Sequence, residues 1–494
     1  MLLSSVRWVC IALFLWIVAT ITTTTIAMSS PPAAAAVRKV AIIGGGAAGL
    51  AASRVFSREG IEDVTVLEAN SQTTGGVWKH RANSKTTPMY RGLRTNLPKE
   101  IMQYREYPWK LHEENDDTSY VTHGQVLEYL QNYQRAYDLT KMVRYGCKVT
   151  RVTVINEEQD MGTGFPKFSL QWQQQETEHE DVFDAVCVCN GHYALPARSN
   201  VPGIDENFQG TILHSIEYDD PSEFADMVVL CIGGRASGAD LAREISMVAK
   251  KVYLSDTTCR RSESLENVVW VPKTTCVEED SSIRFGSEDE DEESLLVSDI
   301  DVIIFCSGYD YRFPFLEETS GSNLELSCVR GERRVSPLYR QLWHAKHPNL
   351  SFIGLPHSVV PFPLFEFQAE AIAAQWKGNS PNPLPPLQER LDLAKEDAEA
   401  GGPNGKRVQD THYLGSFQWE YCRDMAKISG VYDEAVENYI ATNQAIYDDA
   451  SQQRKGLFPG GPDDYRGNCY MRKDEEQSFQ RFLASATNTA ETAY

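Results

Sequence analysis

The sequence predicts an α/β chain carrying two Rossmann-like dinucleotide-binding units and a C-terminal helical layer. Three observations lead there. Arg38 to Asn70 reads as an apolar strand, a glycine-rich loop, an Ala-rich helix and a second buried strand, a β-α-β plan. The same plan returns from Asp226 to Asp256, and the region after Pro381 is polar, aromatic and largely of helical character.

The first loop is Gly44-Gly45-Gly46-Ala47-Ala48-Gly49. Gly44 permits the tight turn, Gly46 lets backbone approach a pyrophosphate, and Gly49 allows close helix packing, with phosphate oxygens at the helix N-terminus. Glu68 ends the next strand, where a carboxylate can bind ribose hydroxyls. The second loop is Gly233-Gly234-Arg235-Ala236-Ser237-Gly238, followed by Asp240. Arg235 takes the middle glycine position, where its guanidinium can crowd a pyrophosphate or bind it. Asp256 ends the following strand and favours NADH, whereas Arg260 and Arg261 just beyond it favour NADPH, so these residues leave the preference open.

Between and after the units the pattern changes. Val143 to Val188 alternates apolar and polar residues around a Gly-rich interruption near Met161 to Gly164, which predicts an antiparallel hairpin or meander. Glu278 to Asp280 and Glu288 to Glu293 mark an acidic, solvated insert, and a buried strand then ends at Gly308. A flexible tail is expected after Ala484.

With 494 residues, 42% hydrophobic and 23% charged, the chain has the composition of a globular enzyme of two or three domains. A formal charge of -22 argues against a nucleic-acid partner, which needs clustered Lys and Arg. Eleven Cys in so long a chain form neither a disulfide scaffold nor paired zinc elements, so no metal site is expected. Cys187 and Cys189 read as small buried apolar residues of a strand.

Residues 1–36 stand apart. Arg7 precedes the apolar run Trp8 to Ala19, then a Thr-rich stretch and PPAAAA. This has the form of a signal-peptide h-region, and is short for a membrane span. The expectation is the endoplasmic reticulum or secretory pathway, by a signal peptide cleaved after Ala27 or by a retained anchor that associates with the membrane. A plastid or mitochondrial presequence is the alternative, as is a cytoplasmic form initiated at Met28.

The stretch FQGTILHSIEY, just before the second loop, carries the most specific signal. Phe208, Gly210, His214 and Tyr218 match, position for position, the fingerprint of the flavin-containing monooxygenases, with a dinucleotide loop on either side. Gly75-Gly76-Val77-Trp78 resembles that family's flavin-contacting turn, and Leu93 to Met102 resembles the segment that sets Thr95 and Asn96 beside the flavin. Cys189 to Gly203 resembles the return from the FAD domain, and Phe305 to Leu316 the second interdomain connection, with Cys306-Ser307-Gly308 where Ala-Thr-Gly is usual. SPLYRQLWHAKHPNLSFIG and FEFQAEAIAAQW, the latter containing Gln368, resemble the chain re-entering the FAD domain.

The resemblance implies a discontinuous FAD domain, residues 37–205 and 336–484, interrupted by an NADPH domain at 206–335, with the tail at 485–494. It implies FAD on Gly44 to Gly49, Glu68, Gly76 to Trp78, Thr95, Asn96 and Gln368, and NADPH on Gly233 to Gly238, Asp240, Arg260 and Arg261. The fingerprint residues would order the linker. The implied reaction uses NADPH and O2, passes through a C4a-hydroperoxyflavin, and oxygenates a soft nitrogen or sulfur of a small molecule, with Asn96 organising the pocket. A flavin disulfide reductase would need a redox Cys pair near the first unit, and no Cys lies between Cys10 and Cys147. A Baeyer-Villiger monooxygenase has a related fingerprint ending in Trp where this chain has Tyr218. A peroxide-releasing oxidase or nucleotide sensor is the third alternative. Amines, thioethers, glucosinolate-like and indolic compounds all suit the implied chemistry, and neither the substrate nor the oligomeric state is legible.

Overall fold

The computed structural model describes residues 37–82, 87–109, 118–155, 164–286, 294–401 and 407–484. The leader, most of the Gly-rich interruption and the acidic run at 288–293 lie outside them. Among the described residues no helix is long and apolar enough to cross a membrane.

Two separate sheets carry the two units. The first has seven strands, in the order Leu338–Tyr339, Trp343–His344, Leu350–Phe352, Ala185–Val188, Lys39–Ile43, Asp63–Glu68, Val143–Tyr145. Its last five strands are parallel. Strand alternation sorts its two faces. Val40 and Ile42 pack with Phe56, Phe367 and Trp376 of the helices Ala47–Arg58 and Pro361–Trp376. Ala41 and Ile43 face Val152, Phe168 and Leu170 of a three-stranded antiparallel sheet. That sheet, Cys147–Ile155, Lys167–Gln174 and Thr177–Phe183, is the meander the alternating pattern predicts. Cys187 and Cys189 are buried, with sulfurs 3.7 Å apart.

The second sheet has six strands, in the order Glu263–Leu265, Val268–Val271, Lys251–Ser255, Val228–Ile232, Val302–Phe305, Thr211–His214. Val229 and Cys231 face the helix Ala236–Ser246, and Leu230 and Ile232 face Phe208 and Phe285. All its strands lie between Val188 and Leu338, so the first sheet is drawn from chain on both sides of the second.

Two features sharpen the expectations. Four of the eleven residues of FQGTILHSIEY, Thr211–His214, form an edge strand hydrogen-bonded in parallel register to Val302–Phe305. The C-terminal layer is not all helical. Helices Leu387–Ala400, Gln418–Ser429 and Glu434–Arg454 are followed by an antiparallel ribbon, Asn468–Lys473 with Ser478–Leu483. The ribbon buries Asn468, Cys469 and Tyr470 in a row and exposes most of its second strand, so no period-two alternation marks it at the end of a helical region.

Candidate functional site

The two loops have nearly the same backbone. Gly44 and Gly233 have φ of 105° and 113°, values that favour glycine, and their amides donate to Leu67 O and Ser255 O, each at 2.9 Å. A Cβ on Gly49 would stand 1.9 Å from Gly44 O, and one on Gly238 1.7 Å from Gly233 O. Close packing of helix on strand therefore excludes any side chain at either position. The helices that follow begin with no side-chain cap and no acidic residue in the first turn. Their leading amides are left for an external anion, as a pyrophosphate site requires.

Each loop is tied to the carboxylate ending the second strand of its unit. Gly45 N donates to Glu68 Oε2 at 2.7 Å and Asn70 N to Oε1 at 2.7 Å. Gly234 N donates to Asp256 Oδ2 at 3.0 Å and Thr258 N to Oδ1 at 2.6 Å. The units differ at the middle position. Gly46 faces the turn after the first unit, where a Cβ would meet Gly76 Cα at 3.4 Å. Arg235 is exposed, with its guanidinium 5.9 Å from the centre of the Tyr413 ring. Arg260 and Arg261 are exposed as well.

The flavin-side candidates converge on the first loop. Gly75 N donates to Gly45 O at 3.0 Å, which docks the Gly76–Trp78 turn against it. Val77 O accepts from Thr87 Oγ1 at 2.8 Å, and Trp78 packs edge-on to Phe362. Thr95 is buried and exchanges hydrogen bonds with Val121. Asn96 is half-buried, its carbonyl accepts from Arg454 Nη1 at 3.2 Å, and no hydrogen bond joins its side-chain amide to a described residue. Gln368 is fully buried, its amide accepting from Gly354 N and donating to Tyr421 Oη, each at 3.0 Å. Asp240 points its carboxylate at Arg466 Nη2 (2.9 Å) and Arg243 Nη1 (2.8 Å), which places it in an ion-pair network on the helix that opens at the second loop.

The fingerprint stitches the two units together. A Cβ on Gly210 would stand 2.3 Å from Asp301 O, so the close approach to the neighbouring strand end demands glycine. Phe208 is buried in the second core. His214 Nδ1 accepts from Ile216 N at 3.2 Å, which leaves the ring proton on Nε2 for Gly308 O at 3.0 Å. Burial lowers its pKa and keeps it neutral, as this pairing needs. It thus pins one interdomain crossing to the other. Tyr218 donates to Glu244 Oε2 at 2.8 Å and packs edge-on to Tyr90, which leads into the Thr95–Asn96 segment. His80 Nε2 and Asp219 Oδ1, 2.5 Å apart, add a further tie.

Sequence reasoning missed Glu244, Arg454 and Arg466, whose roles depend on distant partners, and the histidines of the region. His192 and His357 are both pushed down to about 4, His192 by burial and then His357, His357 by burial and then Arg235 and Arg333. A groove of about 740 Å³ lined by Leu324, Arg334, Leu391 and Ala394 contains none of the predicted site residues. Among the described residues no cluster could hold a metal ion.

Comparison with known proteins agrees with this geometry. The profile of the flavin-binding monooxygenase-like proteins matches residues 37–269 and 267–434. The chain is 34% identical over 398 residues to the flavin-containing monooxygenase FMO GS-OX-like 4 of Arabidopsis thaliana, covering 76% of this chain and 83% of that one. It is also 34% identical over 434 residues to FMO GS-OX5 of the same plant, covering 82% and 88%. Among solved structures it resembles the S-allyl-L-cysteine S-oxygenase of Allium sativum, with a TM-score of 0.74 and 30% identity over 89% of this chain and 96% of that one. Cyclohexanone monooxygenase, 14% identical with a TM-score of 0.52 over 79% of this chain and 97% of its own, shares the fold.

Proposed function

The chain belongs to the flavin-binding monooxygenase-like family, and from that premise we propose that it oxygenates the sulfur of a small thioether with NADPH as reductant. Membership makes it an oxidoreductase with FAD and NADPH as cofactors. We assign FAD to the first unit and NADPH to the second. The observation that carries the reading is the pair of matched loops, each opening an uncapped helix, joined through His214 and Tyr218. Similarity to an S-oxygenase over most of both chains favours sulfur over nitrogen.

When bound, the flavin supplies the redox chemistry that activates dioxygen. The chain supplies position. The Gly44–Gly49 loop and its helix would hold the pyrophosphate, Glu68 the ribose, and Gly76–Trp78 with Thr95 and Asn96 the ring side. The free amide of Asn96 would hydrogen-bond within the pocket. The balance is thioether, O2, NADPH and a proton giving sulfoxide, water and NADP+. One oxygen atom reaches sulfur, and the other leaves as water with the two electrons of NADPH.

Incubation with NADPH, isotopically labelled dioxygen and S-allyl-L-cysteine or methyl phenyl sulfide tests this, followed by mass spectrometry. Label in the sulfoxide is expected. NADPH consumption matched by hydrogen peroxide, without labelled product, would overturn it, and lactone from cyclohexanone would point to Baeyer-Villiger chemistry. Arg260 and Arg261 support NADPH over NADH, a preference of about tenfold or more in kcat/KM, since a 2′-phosphate gains a charge-assisted pair. Equal efficiency with both nucleotides would contradict that assignment.

A further inference from the structure

The chain beyond the Glu434–Arg454 helix lies outside the region matched by the family profile, yet it packs against the second unit and the Thr95–Asn96 segment. Phe458 packs edge-on to Trp270, and Gly460 lies so close to the second unit that a Cβ there would meet Ala242 Cβ at 3.1 Å. A short turn, Asp464–Gly467, then sets Arg466 inside the protein, 3% exposed.

Every nitrogen of that guanidinium is engaged. Nε donates to Thr95 O at 3.0 Å, Nη1 to Asp463 Oδ2 at 2.7 Å and Asp240 Oδ1 at 3.3 Å, and Nη2 to Asp240 Oδ2 at 2.9 Å. Arg243 Nη1 approaches Asp240 from its own helix at 2.8 Å, and its Nη2 lies 3.8 Å from Asp463. The adjacent carbonyl, Asn96 O, is taken by Arg454. Both arginines lie near the Tyr465 ring, at 5.2 Å for Arg466 and 5.8 Å for Arg454.

Thr95 and Asn96 form the pocket segment, and Asp240 sits on the helix that opens at the second loop. One buried side chain therefore binds both. A planar fork donates in three fixed directions at once, which a lysine ammonium on a flexible stem does not reproduce. Removing it leaves Asp240 and Asp463 short of a buried counter-charge. Hydride transfer needs its two partners held in one geometry, and small misplacements cost much of the rate.

We propose that Arg466 is a positioning residue that locks the second dinucleotide unit to the Thr95–Asn96 segment, so that nucleotide delivery and the oxygenation pocket share one geometry. The role in oxygenation rests on the function proposed above, whereas the lock itself does not.

The test compares wild type, Arg466→Lys, Asp240→Asn and the double variant, each purified with its flavin. Backbone amide exchange reads the lock, anaerobic mixing with NADPH reads the flavin reduction rate, and the peroxide formed per NADPH reads coupling. Both single variants are expected to keep flavin, slow its reduction about tenfold at saturating NADPH, and raise the peroxide fraction. They should raise exchange in residues 90–96 and 236–246 together, with the double variant no worse than either single one. Reduction and peroxide per flavin unchanged from wild type, with only thermal stability lowered, would overturn the positioning role. Exchange rising in one segment alone would overturn the lock. Should Arg466→Lys fail to fold, the near-isosteric Asp240→Asn decides on the same criteria. Should no probe thioether be oxygenated by wild type, amide exchange and anaerobic reduction still decide, so failure of the lock and failure of the proposed reaction are told apart.

Discussion

At the middle position of their loops, Gly46 and Arg235 have almost the same backbone, φ of -78° and -75° with ψ of -169° and -170°. One faces Gly76 and the other carries a long cationic side chain out toward Tyr413. These dihedrals are open to any residue, so the fold does not require glycine there. The glycines of the motif thus answer two demands. Gly44, Gly49, Gly233 and Gly238 are needed to make the turn and pack the helix, while at Gly46 a Cβ would meet only Gly76, at 3.4 Å, and the proposed function assigns that space to the pyrophosphate.

The comparison breaks hardest at the packing glycines. Gly49→Ala and Gly238→Ala each force a methyl into a carbonyl oxygen, and a loss of ~5 kcal/mol is expected, the range of severe single substitutions. If the units act separately, Gly238→Ala that still folds keeps flavin while losing reduction by NADPH, and Gly49→Ala loses flavin. Flavin content and thermal unfolding measure both. Equal flavin loss in the two variants would show the units to be inseparable.

The second asymmetry lies behind the first unit. The helix Pro361–Trp376 backs its helix Ala47–Arg58 and carries Glu366, fully buried and accepting from Arg105 N at 2.5 Å. Burial raises its pKa to about 8, with Arg105 opposing. A folded-state value above the ordinary carboxylate range means that the proton favours the folded chain. This contribution is full below the unfolded value and is lost as pH rises through about 8. Burial raises Glu100 to about 7, in the same direction. Unfolding free energy should therefore fall with rising pH, by on the order of 5 kcal/mol from Glu366, and Glu366→Gln should flatten the slope. Denaturant titrations across that range check it, and an unchanged slope would exonerate Glu366.

Asn96→Ala should keep flavin and reduction by NADPH but lose about a hundredfold in oxygenated product, the scale of one pocket hydrogen bond to a developing charge. Unchanged yield would remove Asn96 from the site. The smallest effect is expected at Gly46→Ala. Its methyl meets only Gly76 Cα at 3.4 Å, so stability without flavin should hold while FAD affinity drops about tenfold, or ~1.4 kcal/mol. Full flavin occupancy in that variant would show that the ligand does not come so close.

Much of this was legible because it is local. The glycine spacing, the strand runs and the carboxylates Glu68 and Asp256 lie within one β-α-β unit, where period and turn chemistry speak directly. The fingerprint was legible as a pattern, though the pairing of Thr211–His214 with Val302–Phe305 was not, since four residues are too few to show which strand they join. The partners of Gln368, and the Arg466 partner of Asp240, were not legible because they come from elsewhere in the chain. Asp240 and Arg466 stand 226 residues apart, and local patterning carries no signal at that range.

The most direct measurement is rapid mixing of NADPH-reduced protein with oxygenated buffer, following flavin absorbance with and without methyl phenyl sulfide. A long-lived species distinct from reduced and oxidised flavin, decaying faster when the thioether is present and yielding sulfoxide, is the expected result. Direct return to oxidised flavin, with one hydrogen peroxide per NADPH whether or not thioether is added, would contradict the monooxygenase account.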